Sequence, residues 1–288
     1  VAYRENGDAQ SFEGRPRKAV ITYLFGDYDS LKDPTVVTPG WDYICVSDKG
    51  VCSDIWRPVV PDASLMDIDD PKRKSSFVKI AHHLFVREPY DTVMTIDASI
   101  RIQCNLDEFL SEFYPVGCDI LIARHPYMQC LYQEADAVLH YRLDDPDVIK
   151  QQVARYRSAG FPALQGLYSC GLIVKSNVSK PLRRMCDIWW KEYMAGSRRD
   201  QLSFTYAKWL LSRSESDFQD LQVSTFDRNE VFKARKLFEI IPHRGDRRWG
   251  HANVLPAKES ISGRLLRLLA RTLLYSCIKR KRHDTRTG

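Results

Sequence analysis

Three carboxylates stand where apolar runs end. Asp97 follows Thr92–Ile96 in TVMTIDASI, Asp48 follows Trp41–Val46 in WDYICVSD, and Asp27 follows Lys18–Phe25 in KAVITYLFGDY. Short runs rich in β-branched and aromatic residues, each stopped by Gly, Ser or Asp, predict buried strands. In an open α/β sheet, ligands bind outside the carboxyl ends of the strands. A carboxylate placed there can hold a divalent cation that bridges a diphosphate, or accept a hydrogen bond from a ribose hydroxyl or a base edge. Any one of the three also reads as a strand-end turn or helix cap. Three on one sheet edge predict a site.

Positive charge accompanies them. Lys72, Arg73 and Lys74 open a helical stretch, with Lys79 farther along. Cations at a helix N-terminus oppose its dipole, so a ligand anion or a carboxylate is their natural compensator, and Arg73 and Lys79 are candidates to face a diphosphate. An ordinary solvated charge run is the plain alternative. Asp200 and Gln201 open a later helix, where Asp suits the dipole, and they read either as a cap or as an acceptor-binding or catalytic pair. His82 and His83 are consecutive, point in different directions and read as structural. His243 and His251 flank a Gly- and Arg-rich loop, PHRGDRRWGH, and His243 is a candidate further ligand for a metal at Asp97, with a surface turn as the alternative.

The elements that must position these groups follow from the pattern. Strands are expected near 18–25, 42–46, 56–60, 92–96, 119–123, 167–175 and 238–241. Helices are expected over 72–87, 105–113, 178–194 and 199–211. Phe77, Ile80, Ala81, Leu84 and Phe85 give the first helix one apolar stripe. The stretch 132–159 is helical in pattern but polar, suited to an outer layer or the cover of a cleft. Strands alternating with helices predict a doubly wound, mostly parallel α/β sheet with helices on both faces. Residues 1–17 read as a leader or linker, 18–258 as the α/β domain, and 259–288 as a basic amphipathic helix.

The formal net charge of +6 is concentrated in that tail: Ile261 to Gly288 hold eight Lys/Arg and one Asp. The rest is close to neutral, which argues against a nucleic-acid-binding face. In the tail, Arg264, Arg267 and Arg271 recur at helical spacing among leucines, a pattern suited to an anionic membrane surface or to packing on a domain. None of the eight cysteines forms a CxxC pair, so zinc-ribbon spacing is absent and buried free thiols are expected.

The segments FGDYD, WDYICVSD, RKSSFVKIAHHLF, TVMTIDASIRI, LDEFL, GLYSCGLIVK and RRDQLSF together resemble a glycosyltransferase-like family that includes plant mucilage-polysaccharide proteins and bacterial capsule or lipopolysaccharide proteins. More distantly, the layout is similar to GT-A transferases of family eight. In those the strand-end motif reads Asp-x-Asp and chelates manganese on the sugar nucleotide. Asp97 matches the first Asp, and Ser99 stands in place of the second. The resemblance implies a GT-A-like domain that moves a sugar from a nucleotide-sugar donor to a glycan or lipid-linked acceptor in surface-polysaccharide synthesis, with retention of configuration.

It also implies a donor site drawn from Phe25, Gly26, Asp27, Tyr28, Asp48, Arg73, Lys79, Asp97 and Ser99. Asp200 and Gln201 lie at the reacting sugar, and Mn²⁺ or Mg²⁺ is held by Asp97 and His243. Such a protein is expected in the cytoplasm, peripheral to an inner membrane, or in a Golgi lumen. A hydrolase of lipids or nucleotides and a non-catalytic sugar-nucleotide-binding domain are the competing readings.

Overall fold

The computed structural model describes residues 17–26, 29–61, 67–84, 90–176, 179–213 and 221–242. Asp27, Tyr28, His243, the leader before Arg17 and the basic tail therefore lie outside the described residues. By internal contacts the chain divides into Val1–Gly245 and Asp246–Gly288. Every described strand and helix belongs to the first unit.

Seven strands form the main sheet, β1 (Lys18–Leu24), β2 (Trp41–Ser47), β3 (Arg57–Val59), β4 (Thr92–Ile96), β6 (Ile120–Arg124), β7 (Tyr168–Ser176) and β8 (Val223–Asp227), in the order β3-β2-β1-β4-β7-β6-β8. All neighbours are parallel except the two pairs made by β7, which runs against β4 and β6. Two short strands, β5 (Ile100–Ile102) and β9 (Phe238–Ile240), form a separate antiparallel pair. The expected mostly parallel α/β sheet is the one found.

Alternation along the strands feeds two apolar layers. On one face Val20, Met94, Leu121 and Val174 meet Leu106 and Phe109 of α2 (Leu106–Phe113), together with Phe226 and Phe238. On the other, Ile120, Ile122 and Ile173 pack on α5 (Lys180–Met194) and α6 (Asp200–Ser212). Ala19, Ile21 and Ile44 pack there on α1 (Pro71–Ala81). The stretch 132–159 is two helices, α3 (Leu131–His140) and α4 (Pro146–Ser158), which share a satellite core with α6. Asp145 caps α4 through Asp147 N and Val148 N, and Pro146 opens it, so the break between the two is locally encoded.

Helix α1 ends at Ala81, and residues 85–87 of the expected 72–87 lie outside the described residues. It passes into a 3-10 turn at His82–Leu84. The cause lies in the neighbouring strand. The buried Lys175 ammonium on β7 donates to Lys79 O at 2.5 Å and Ile80 O at 3.1 Å, taking up carbonyls at the helix end. His82 Nδ1 lies 3.3 Å from the same ammonium. Both histidines are packed in the fold, as expected of structural residues. None of the seven described cysteines is in a disulfide, and five of them are buried.

Candidate functional site

The carboxyl ends of β1, β2, β4, β6 and β8 and the start of the reversed β7 share one edge of the sheet. At its centre Asp97 leaves β4. Its backbone N–H donates to Gly171 O on β7 (2.8 Å), and its own carbonyl accepts from Ile100 N (2.8 Å), which turns the chain into β5. Gly171 lies where the β6–β7 register slips between Ile122 and Ala123. A Cβ added at Gly171 would sit 3.1 Å from Asp97 Oδ2 and 3.3 Å from Ile100 Cδ1. The interior glycine visible in the sequence is thus explained: the Asp97 carboxylate uses the space a side chain would take.

Asp97 Oδ1 accepts from the Tyr23 hydroxyl and lies 2.9 Å from Lys79 Nζ. The same ammonium donates to Asp200 Oδ2 at 2.6 Å. One buried lysine on α1 therefore joins the end of β4 to the start of α6, and it brings together three residues singled out from sequence. The Lys79 side chain is 7% exposed, against 17% for Asp200 and 37% for Asp97. Burial works against the charge on Lys79, but Asp200, Asp97 and Tyr23 outweigh it and raise its pKa well above the ordinary lysine value. Burial pushes the Asp200 carboxyl up, yet Lys79, Arg199 and Lys72 outweigh this and hold it below the usual range. The net result is an ionised pair at neutral pH. Burial and the neighbouring Asp97 raise the Tyr23 phenol, which stays a donor.

The other candidates fall into two groups. Asp48, at the end of β2, accepts from Gly26 N at 3.2 Å through Oδ2, while its buried Oδ1 has no partner among the described residues. An orphaned carboxylate oxygen beside Gly26 (φ +68°) and the buried Phe25 offers an acceptor for a ligand N–H or O–H. Gln201 Oε1 accepts from Arg199 Nη2 at 2.9 Å, and the same nitrogen contacts Glu134 at 3.0 Å, so Gln201 is oriented from behind.

Arg73 goes elsewhere than expected: its guanidinium donates to the carbonyls of Tyr193 (3.0 Å), Met194 (3.3 Å) and Gly196 (3.0 Å). It closes the C-terminus of α5, where an arginine satisfies carbonyls left over by the helix. Lys72, at the start of α1, lies within electrostatic reach of Asp200 and Lys79. Burial lowers its pKa to about 8, with Arg199 adding to the fall and Asp200 and Asp144 opposing it.

The Asp-x-Asp resemblance implies a divalent cation, which calls for several oxygen ligands. The described residues do not fit one. One oxygen of Asp97 is engaged by an ammonium and a phenol. Ser99 is 7% exposed and brings no charge. Among the described residues no three His, Cys, Asp or Glu side chains gather at a point. Ser99 O accepts from Ile241 N at 2.7 Å, so the chain passes this site two residues before His243, itself outside the described residues.

Sequence reasoning missed Tyr23, His125 and Arg228. Tyr23 reads as one more core aromatic in a β run. His125 and Arg228 directly follow β6 and β8, and only the strand-end rule applied to every strand could have flagged them.

No curated protein matches the sequence. Among solved structures, mouse xyloside xylosyltransferase 1 in its apo form is similar at 13% identity and a TM-score of 0.42, covering 72% of this chain and 84% of that one. The WbbM bifunctional glycosyltransferase apo structure is similar at 11% identity and a TM-score of 0.41, covering 69% of this chain and 38% of that one. These likenesses are distant. The family model described as TOD1/MUCI70, glycosyltransferase-like domain matches residues 42–237, more than half of the chain, and spans Asp48, Lys79, Asp97 and Asp200. The chain belongs to the TOD1/MUCI70 glycosyltransferase-like family.

Proposed function

We propose that this glycosyltransferase binds a nucleotide-sugar donor along the carboxyl edge of its sheet and moves the sugar to a hydroxyl of a glycan or lipid-linked acceptor. The observation that carries the reading is the Asp97–Lys79–Asp200 bridge, which ties a strand-end carboxylate to a helix-start carboxylate through one buried ammonium. In this reading Asp48 meets the nucleoside through its open oxygen. Lys79 and Lys72 supply positive potential where diphosphate charge builds on the leaving group. Asp200, kept ionised by Lys79, faces the electron-poor anomeric carbon, with Gln201 beside it. Retention of configuration and a role in surface-polysaccharide synthesis complete the proposal. So does attachment of the basic tail to anionic lipid, in the cytoplasm beside an inner membrane or in a Golgi lumen.

The test compares Asp97→Asn with Asp200→Asn. Calorimetry with UDP, GDP, CDP and ADP, in EDTA and in Mn²⁺, reads donor binding; transfer from the matching sugar nucleotide reads turnover. Asp97→Asn, which removes one of the two carboxylates that hold the Lys79 ammonium in place, is expected to weaken nucleotide binding. Asp200→Asn is expected to leave it nearly intact while turnover falls by roughly 30- to 1,000-fold, about 2–4 kcal/mol in the transition state. Wild-type turnover in Asp200→Asn, or failure of every nucleotide to bind the wild-type chain, refutes the assignment.

A further inference from the structure

Across Asp97 from Asp48 and Gly26, the sheet edge continues through β6 and β8. Their last paired residues are Arg124 and Asp227, so His125 and Arg228 emerge side by side where the sheet ends. Four side chains there serve neither the bridge nor the core. Arg228 is largely withdrawn from water and packs its guanidinium over the Phe232 ring (5.4 Å). It lies within electrostatic reach of Asp97 and Tyr127, and among the described residues no carboxylate forms an ion pair with it. Burial lowers its pKa, the mark of a cation short of counter-charge.

Lys233 donates to the Tyr127 hydroxyl at 2.9 Å, and it too has no carboxylate partner among the described residues. His125 Nδ1 accepts from Met128 N (3.0 Å) and Tyr127 N (3.4 Å), which places the ring proton on Nε2 as a donor. Burial lowers the pKa of this imidazole against the opposing pull of Glu134, and nearby Arg228 and Arg199 add to the fall. Between these groups stands Tyr127, 53% exposed, held at its hydroxyl by Lys233 and edge-on to His125 at 6.2 Å.

A fixed, exposed aromatic ring suits the C–H face of a sugar, and an imidazole N–H beside it suits a hydroxyl. Two cations without carboxylates add a demand for anions. We propose that this wall is the acceptor subsite and that the acceptor is an acidic saccharide, with carboxylate or phosphate groups meeting Arg228 and Lys233 and a sugar ring lying on Tyr127. The proposal rests on the transferase reading and names the substrate class for it.

The test titrates the full chain with three tetrasaccharide probes: a uronic-acid tetrasaccharide, its carboxyl-reduced neutral counterpart, and a phosphorylated neutral tetrasaccharide. At least one acidic probe is expected to bind about tenfold more tightly than the neutral one, and which one does so identifies the source of the anion. Arg228→Gln and the exposed Lys233→Gln should each remove most of that difference without weakening the neutral probe. Tyr127→Ala should weaken both kinds. Binding of UDP, GDP, CDP and ADP by the wild-type chain is measured in parallel. Nucleotide binding with no preference for an acidic probe, or with no saccharide bound at all, overturns this inference and leaves the transferase standing. An acidic preference without nucleotide binding refutes the transferase and leaves an acidic-glycan site. An acidic preference that survives both charge removals overturns the placement at Arg228 and Lys233.

Discussion

Replacing Lys79 by Met keeps the length of the side chain and removes the ammonium that two carboxylates share. Asp200, 17% exposed, and Asp97, 37% exposed, would then face each other without a counter-charge. Breaking a buried pair from one side costs about 3–5 kcal/mol. Asp97 is open enough to water that its share is heavily screened, so the lower end, about 3 kcal/mol, is the expected loss, carried mostly by Asp200. With an m-value on the order of 2 kcal/mol/M, the urea midpoint falls by roughly 1.5 M. Adding Asp200→Asn removes the stranded charge, and the double variant should regain about 2 kcal/mol over Lys79→Met.

The pH dependence separates this from a packing defect. In the wild type Lys79 depresses the Asp200 carboxyl, so the stabilisation is present above the ordinary carboxylate range and is lost as pH falls through the lowered value. In Lys79→Met, burial is opposed only by Arg199 and Lys72 and raises that carboxyl, so protonation on acidification relieves the variant. The gap between the two proteins should be widest near pH 7 and narrow towards pH 4. Equal midpoints for wild type and Lys79→Met, or a double variant no more stable than the single, would show that the bridge does not act as an ion pair.

Other expectations follow from the same geometry. Gly171→Ala places a methyl 3.1 Å from Asp97 Oδ2, and displacing that carboxylate should cost about 1–2 kcal/mol. Nucleoside diphosphate affinity should fall with it, and unchanged calorimetry would disprove the close approach. Burial lowers His82 well below the usual histidine value and His83 to about 4, with Lys175 adding to both shifts. An unfolded chain therefore takes up protons below about pH 6.5 that the fold refuses. Stability should fall on acidification by up to ~1.4 kcal/mol per pH unit for each imidazole. A Tm that stays flat between pH 7.5 and 5 would contradict this. Deleting residues 259–288 should abolish co-sedimentation with phosphatidylserine-containing liposomes, and equal pelleting of both forms would rule out membrane attachment by the tail.

The strands of the central sheet were legible because burial on both faces leaves near-continuous apolar runs, as in KAVITYL and TVMTI. β8 was not. In VSTFD only Phe226 is buried, so an edge strand reads as polar loop. Arg228 stayed hidden with it. Lys79 was readable as a cation near the site, but its position between Asp97 and Asp200 depends on packing α1 against the sheet, a contact no local pattern encodes. Arg73 shows the reverse case. It belongs to the same charge run as Lys72 and Lys79, yet the step of about 100° between neighbouring helical residues directs it to carbonyls at the far end of another helix. The end of α1 was misjudged because its stop signal is a strand residue, Lys175, nearly a hundred positions away in sequence.

The clasp made by Arg73 bears on how the cleft can breathe. Helix α1 supplies Lys79, and through Arg73 it also grips the Tyr193–Gly196 turn, from which the chain runs directly into α6 and Asp200. The cation and the anchorage of its carboxylate partner thus rest on one helix. Any flexing of the sheet edge on ligand entry is expected to carry α1 and the head of α6 together, so that the Lys79–Asp200 separation changes less than the Lys79–Asp97 separation.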